Sequence, residues 1–198
     1  MKDAVKVMQK FDDIKKFVQG VMSEKRFAHT MGVAEEASRL AGIWDVNPEK
    51  AYLAGLIHDV AKELPYSDAK RIIESSGLLD DGDAFPDSVA LHGFMAAHIA
   101  KTKLNITDED VLNAARYHTT GRVGMSVLEK IIYVADFTEQ GRPYPQAKEV
   151  REISERDLDA AVLREADHVI KFIIDSGRVL CTTTVEVRNS FLNNSKRG

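Results

Sequence analysis

The sequence predicts an all-α fold, a single compact helical bundle. Two observations carry that prediction: apolar residues recur at helical spacing in almost every segment, and nowhere do apolar and polar residues alternate for long enough to make a strand. A third concerns size, since a chain of 198 residues buries about 70% of its unfolded surface and can hold one core without staples.

Phe11, Ile14, Val18 and Val21 form the apolar stripe of a first helix. Phe27, Ala34, Ala37 and Ala41 line a second, expected to stop near Gly42. Asn47 and Pro48 read as N-cap and first position of a third helix running to about Lys62. It is apolar nearly all round, through Ala51, Leu53, Ala54, Leu56, Ile57, Val60 and Ala61, and should therefore be central. Ser67-Asp68 opens a short fourth helix ending near Gly77; a polar loop follows at Asp80-Asp81-Gly82-Asp83, and Pro86-Asp87 signals the next start. Thr107, with Asp110 three residues on, resembles a capping box for a helix that ends around His118, at the turn Thr119-Thr120-Gly121. Residues 125 to 137 make a further, strongly apolar helix, which Gly141-Arg142-Pro143-Tyr144-Pro145 breaks. Two more helices are expected at about 147 to 155 and 158 to 175. The tail, 180 to 192, is ambiguous because Thr182-Thr183-Thr184-Val185 has weak helix propensity. No repeat, low-complexity segment or linker divides the chain, so one domain is expected over 1–198, with its core at about 20–175 and a C-terminal extension at about 176–198.

Composition excludes several function classes. The single cysteine, Cys181, cannot pair within the chain, and Met1-Lys2-Asp3-Ala4 leads into an amphipathic segment rather than the long apolar stretch of a secretory signal. A reducing, cytoplasmic setting is the expectation. No apolar run approaches the roughly 20 residues of a membrane span, which argues against a membrane partner. With a formal net charge of -4 and dispersed basic residues, the chain has no electrostatic footprint for a polynucleotide. A small phosphorylated ligand needs only a local basic pocket.

Against this background His58-Asp59 stands out, because two ligand-type side chains follow the apolar run Ala54-Gly55-Leu56-Ile57 where the helix should be most buried. A buried carboxylate without a partner is costly or takes up a proton, so a nearby cation is the economical explanation. Asp136 repeats the anomaly after Ile131-Ile132-Tyr133-Val134-Ala135. His29, His58, His92, His118 and Asp136 fall on different expected helices, and a bundle core is where side chains from separate helices converge. Neutral imidazoles with carboxylates make a mixed nitrogen and oxygen donor set suited to iron, manganese, cobalt or zinc, unlike the thiolates of a structural zinc site. Ordinary readings compete. His29, which shares a helical face with Arg26, Val33 and Leu40, can be a core histidine bonded to a backbone carbonyl, and Asp59 can pair with Lys62 at a helix end. His98, about 240° round a helix from His92, and His168, on an ordinary amphipathic helix, are read as structural.

The order His29, His58-Asp59, Asp136 resembles the HD superfamily of metal-dependent phosphohydrolases. More narrowly, five strings look like those of the bacterial symmetrical bis(5'-nucleosyl)-tetraphosphatases. They are Arg26-Phe27-Ala28-His29, His58-Asp59-Val60-Ala61-Lys62, His92-Gly93, Tyr117-His118-Thr119-Thr120-Gly121-Arg122 and Ala135-Asp136-Phe137-Thr138-Glu139-Gln140-Gly141-Arg142. A tail motif, Thr184-Val185-Glu186-Val187-Arg188-Asn189, goes with them. The likeness covers roughly residues 20 to 190 and departs at Gln140, where proline is expected; that bears on the loop and not on the chemistry.

The resemblance implies that His29, His58, Asp59 and Asp136 hold a metal, iron foremost with manganese, cobalt or zinc as alternatives, and that His92 and His118 bind a second metal or a substrate phosphate. One divalent ion is neutralised by Asp59 and Asp136, whereas two ions leave excess positive charge for a polyphosphate. A one-ion site must recruit its cations elsewhere. Lys62 and Arg26 are one helical turn from the ligands, Arg122 and Arg142 have forks suited to phosphate, and Thr119, Thr120 and Gly121 offer hydroxyls and N–H groups. Taken singly, each arginine can equally be a solvated surface charge. The implied activity is hydrolysis of diadenosine tetraphosphate to two ADP, with Asp59 orienting the water and Lys62, His92 and His118 neutralising the charge that develops. The rivals are another HD hydrolase, acting on a nucleoside monophosphate, a deoxynucleoside triphosphate or a cyclic nucleotide, and a non-catalytic nucleotide-sensing domain, which has no need of two buried aspartates. A homodimer is what the family suggests of assembly.

Overall fold

Ten helices form over the described residues, with no strand among them: α1 (Lys2–Gly20), α2 (Glu24–Ile43), α3 (Pro48–Ile57), α4 (Tyr66–Ser76), α5 (Leu91–Lys103), α6 (Glu109–Tyr117), α7 (Val127–Thr138), α8 (Pro145–Ser154), α9 (Leu158–Asp175) and α10 (Thr182–Ser195). The structure, a computed structural model, describes residues 2–76 and 90–195 and places side chains over 11–76 and 90–192. The all-α expectation is met. The expected stop near Gly77, the polar loop at 80–83 and the start signal Pro86-Asp87 lie outside the described residues.

Helix boundaries have local causes. Asn47 Oδ1 accepts from the N–H groups of Glu49 and Lys50, with Pro48 at the first position, as its sequence predicts. Ser126 opens α7 with a full capping box: its hydroxyl accepts from the Glu129 N–H while Glu129 accepts from the Ser126 N–H. The cap of α6 is Asp108, one residue after the expected Thr107, because its Oδ1 reaches the N–H groups of both Asp110 and Val111. α8 starts at Pro145, ahead of the expected 147, since a proline at the first position has no N–H to leave unpaired.

The largest difference is at α3, which ends at Ile57 rather than near Lys62. The chain tightens there into successive turns, with Val60 N–H on Ile57 O, Lys62 N–H on Asp59 O and Leu64 N–H on Ala61 O. His58-Asp59 therefore lies at a helix end. The ambiguous tail is the helix α10: its threonines disfavour that state, yet Val187 and Phe191 are buried and the helix packs along α9, so tertiary contact overrides propensity.

α3 and α7 are the inner helices, and Leu56, Ile57, Ile131, Ile132 and Val134 are wholly buried. α2 packs on both, α6 packs on α3, α5 and α7, and α8 and α9 cover another side of α7. Two glycines permit the closest crossings. A Cβ on Gly55 would lie 2.7 Å from Ala34 Cα, so α2 and α3 meet backbone to backbone. A Cβ on Gly93 would strike the Arg116 carbonyl oxygen, which ties α5 equally closely to α6. The first crossing brings the His29 and His58 rings within 5.6 Å and the second brings those of His92 and His118 within 4.8 Å. No helix among the described residues is long and apolar enough to cross a membrane.

On α7 and α9, Tyr133 Oη and Glu165 Oε2 are buried without a hydrogen-bond partner. Burial pushes the Glu165 carboxyl well above its ordinary value of 4.5, and the charge of Asp136 adds to the effect. The folded chain thus keeps a proton that the unfolded chain releases above about pH 4.5. Stability should therefore fall as pH rises from there until the folded carboxyl itself titrates, by at most about 1.4 kcal/mol per pH unit. Glu165→Gln keeps the shape and cannot ionise, so its urea midpoint should exceed that of the parent at about pH 8 and vary less between about pH 5 and 8. An unaltered pH profile would show that the proton is held elsewhere.

Candidate metal centre

Six side chains from five helices or their ends meet at one point: His29 from the second turn of α2, His58 and Asp59 after α3, His92 in the first turn of α5, His118 after α6 and Asp136 in the last turn of α7. Asp59 is the hub. Its Oδ2 lies 3.9 Å from His29 Nε2 and 3.5 Å from His58 Nε2, and its Oδ1 lies 3.4 Å from His92 Nε2 and 3.5 Å from His118 Nε2. Asp136 Oδ1 faces His29 Nε2 at 3.0 Å. Three triads, His29-His58-Asp59, His58-His118-Asp136 and Asp59-His92-His118, each bring their ligand atoms within 4.8 Å of one another. All four residues expected to hold a metal are thus brought together, with both expected to hold a second ion or a phosphate.

The far nitrogen of three rings decides what the near one can do. His58 Nδ1 lies 2.6 Å from Gly55 O and His118 Nδ1 2.8 Å from Ala115 O. A carbonyl only accepts, so both nitrogens carry protons. His29 Nδ1 faces the carboxylate of Glu139 at 3.2 Å and is fixed in the same way, not by the backbone carbonyl of its ordinary reading. In the neutral rings each Nε2 is then a bare lone pair turned toward carboxylate oxygens. Acceptors facing acceptors need a cation or a proton between them. In keeping with this, His58 Nε2 and Asp59 Oδ1 are buried and have no hydrogen-bond partner. The site also lies at the C-terminal ends of α3, α6 and α7, where the helix dipoles place partial negative charge and favour a cation. On these grounds the residues fit a metal ion with nitrogen and oxygen ligands.

Where ring protons rather than an ion lie between nitrogen and oxygen, the carboxylates are held ionised. Burial opposes the charge on Asp59, but His58, with His118 and His92, holds its carboxyl well below the usual range. Asp136 is only half-buried, its side chain 26% exposed, and so less enclosed than its place in the sequence predicts; desolvation still opposes its charge, and the His29 ring beside it prevails in keeping that carboxyl low. Burial lowers His92 to about 4, with His118 and Lys62 adding to the fall against the pull of Asp59, so this ring is neutral at physiological pH.

Cations rim the cluster. Arg26 Nη1 donates to Asp59 Oδ2 at 2.8 Å, so the partner of Asp59 is Arg26 and not Lys62. Lys62 Nζ instead lies 3.0 Å from His92 Nε2. Arg142 donates to Asp136 through Nη2 at 3.0 Å and through Nε to its backbone carbonyl. Thr119 Oγ1 lies 3.1 Å from His92 Nε2 and 3.0 Å from His118 Nε2. The other three residues expected at phosphate are engaged elsewhere. Arg122 donates from Nε and Nη2 to Glu129 and lies over the Tyr117 ring; the Thr120 hydroxyl donates to Gly121 O; and Gly121, at φ 66°, packs on Met125 and Val187. His168 pairs with Glu149 outside the cluster.

Sequence reasoning did not single out Glu139, which the structure brings against the cluster. It is 5% exposed, faces His29 Nδ1 and accepts from the Gly141 N–H at 2.5 Å. A carboxylate in this position sets the tautomer and direction of a ligand histidine. The available signal was its spacing, three residues after Asp136 in the same string. A cavity of about 570 Å³, lined among others by Arg26, His29, Glu139, Arg142 and Tyr144, opens on this side of the cluster.

An HD domain profile matches residues 26–169 of the chain. A protein of Bacillus subtilis named symmetrical bis(5'-nucleosyl)-tetraphosphatase is 34% identical over 90% of this chain and 95% of its own length. The protein of the same name from Halalkalibacterium halodurans is 34% identical over 88% of this chain and 93% of its own. A crystal structure from Clostridium acetobutylicum, described as a predicted HD superfamily hydrolase involved in NAD metabolism, matches with a TM-score of 0.85 and 42% identity over 93% of this chain and 97% of that one.

Proposed function

The chain belongs to the HD-domain family, and from that premise we propose that it is a metal-dependent phosphohydrolase that cuts diadenosine tetraphosphate symmetrically into two ADP. The names of relatives that match nearly its whole length support the substrate. One observation carries the chemistry: four imidazole nitrogens converge on the two oxygens of buried Asp59, an arrangement of acceptors that calls for a cation. His29, His58, Asp59 and Asp136 would hold the ion, iron foremost, and His92 and His118 would meet a second ion or a substrate phosphate. When bound, such an ion polarises a phosphoryl oxygen and makes water a stronger acid.

The chain's own residues supply the rest. Asp59 accepts only, and so orients a water by taking a hydrogen bond from it. Arg26 and Arg142 are each anchored on a carboxylate of the cluster and have further N–H groups for phosphate oxygens. Lys62, held against neutral His92, faces the charge that gathers on the departing ADP as the water oxygen bonds to an inner phosphorus and the bridging bond breaks. A reducing, cytoplasmic setting fits a chain whose Cys181 is free.

Incubation of the metal-loaded protein with diadenosine tetraphosphate should yield ADP alone, two per substrate consumed. ATP with AMP would overturn the symmetrical reading. Inert diadenosine tetraphosphate beside rapid turnover of a nucleoside monophosphate, a deoxynucleoside triphosphate or a cyclic nucleotide would overturn the substrate.

A further inference from the structure

Hydrolysis at the cluster accounts for the ligands and their basic rim, but leaves a second cavity without a role. It measures about 610 Å³, within the roughly 300–1,000 Å³ that ligand pockets occupy. Arg142 and Tyr144 line both it and the cavity that opens on His29, so the two adjoin at these side chains. The second cavity is aromatic. Phe137 and Tyr144 meet edge to face at 5.5 Å, Phe137 and His168 are parallel to within 6°, and Phe172 on α9 is 59% exposed. Gln146, exposed in the first turn of α8, adds an amide donor and acceptor at the rim.

We propose that this aromatic slot receives the base of one nucleoside of the substrate, with Arg142 gripping the phosphates between the slot and the cluster. The inference rests on the reading of the chain as a dinucleoside polyphosphate hydrolase. The order of lining residues across the two cavities matches the order of parts in a nucleotide: metal ligands, then a guanidinium, then aromatic faces. Phe137 directly follows Asp136, and Arg142 spends Nε and Nη2 on Asp136 while Nη1 remains for a phosphate oxygen. Every base has a π-face, so stacking holds a base without demanding its identity. The amide of Gln146 can pair with the N6 and N7 edge of adenine, which adds a preference.

The test compares the affinity of the metal-loaded protein for ADP and for inorganic pyrophosphate, by calorimetry. Phe172→Ala removes an exposed ring, and Tyr144→Leu keeps bulk but loses the π-face. Each should weaken ADP by about tenfold, the scale of one stacked base, raise KM for diadenosine tetraphosphate in parallel, and shift pyrophosphate by less than about twofold. Equal losses for the two ligands, or no loss for either, would overturn the slot. The two readings fail separately. A parent protein that binds ADP through these rings but leaves diadenosine tetraphosphate intact overturns the hydrolase and keeps the slot; full turnover with ADP affinity untouched in both variants does the reverse.

Discussion

Asp59→Ala is expected to give a folded, metal-depleted and inactive protein, with kcat/KM for diadenosine tetraphosphate down by about a thousandfold or more, beyond the 10–100-fold typical for loss of a partner that merely orients a ligand. Asp59 is 2% exposed, its two oxygens face four imidazole nitrogens and it belongs to two of the three triads, so its loss strips most of the oxygen donors from the cluster. The fold should survive because the substitution removes a buried charge instead of stranding one, and Arg26, its ion-pair partner, is 30% exposed and can turn to solvent. Elemental analysis of protein purified without added metal, with far-ultraviolet circular dichroism beside it, checks both halves. Undiminished metal content in the variant would mean that the ion binds elsewhere.

Gly55→Ala should be, with Gly93→Ala, among the most damaging single methyls in the molecule's interior. The new Cβ would meet Ala34 Cα at 2.7 Å and Ala34 N at 2.9 Å, and these are backbone atoms that cannot rotate away. A loss of about 3 kcal/mol, at the upper end for overpacking, is expected in urea unfolding. Weaker metal binding should accompany it, because the same crossing sets His29 beside His58, and Gly55 O receives the His58 Nδ1 proton. A variant with the parental midpoint would mean that α2 and α3 can separate without cost.

The metal ligands were legible in the sequence because their chemistry contradicts their surroundings: a carboxylate at the end of Ala54-Gly55-Leu56-Ile57 or after Val134-Ala135 has no ordinary reason to be there. The end of α7 was legible for the same kind of reason, an apolar period interrupted by the breakers at Gly141-Arg142-Pro143-Tyr144-Pro145. Connections that depend on three-dimensional proximity were not. Lys62 shares a helical face with Asp59 on paper, but the tightened turns after Ile57 carry it to His92 and leave Asp59 to Arg26. Arg122 looked like a phosphate ligand by its place after the histidine turn, and the capping carboxylate of Glu129 claims it. Periodicity also says nothing of α10, whose weak propensity is overcome only by the face of α9.

The ligands run from His29 to Asp136 and come from helices that touch only in the finished bundle. An ion bound by them is therefore a clasp as well as a reagent: it fastens distant stretches of chain to one another, as a crosslink would, and its binding energy is added to the free energy of folding. Metal supply would then govern how long the protein lasts as well as how fast it works, and metal-starved chains would be the first to unfold.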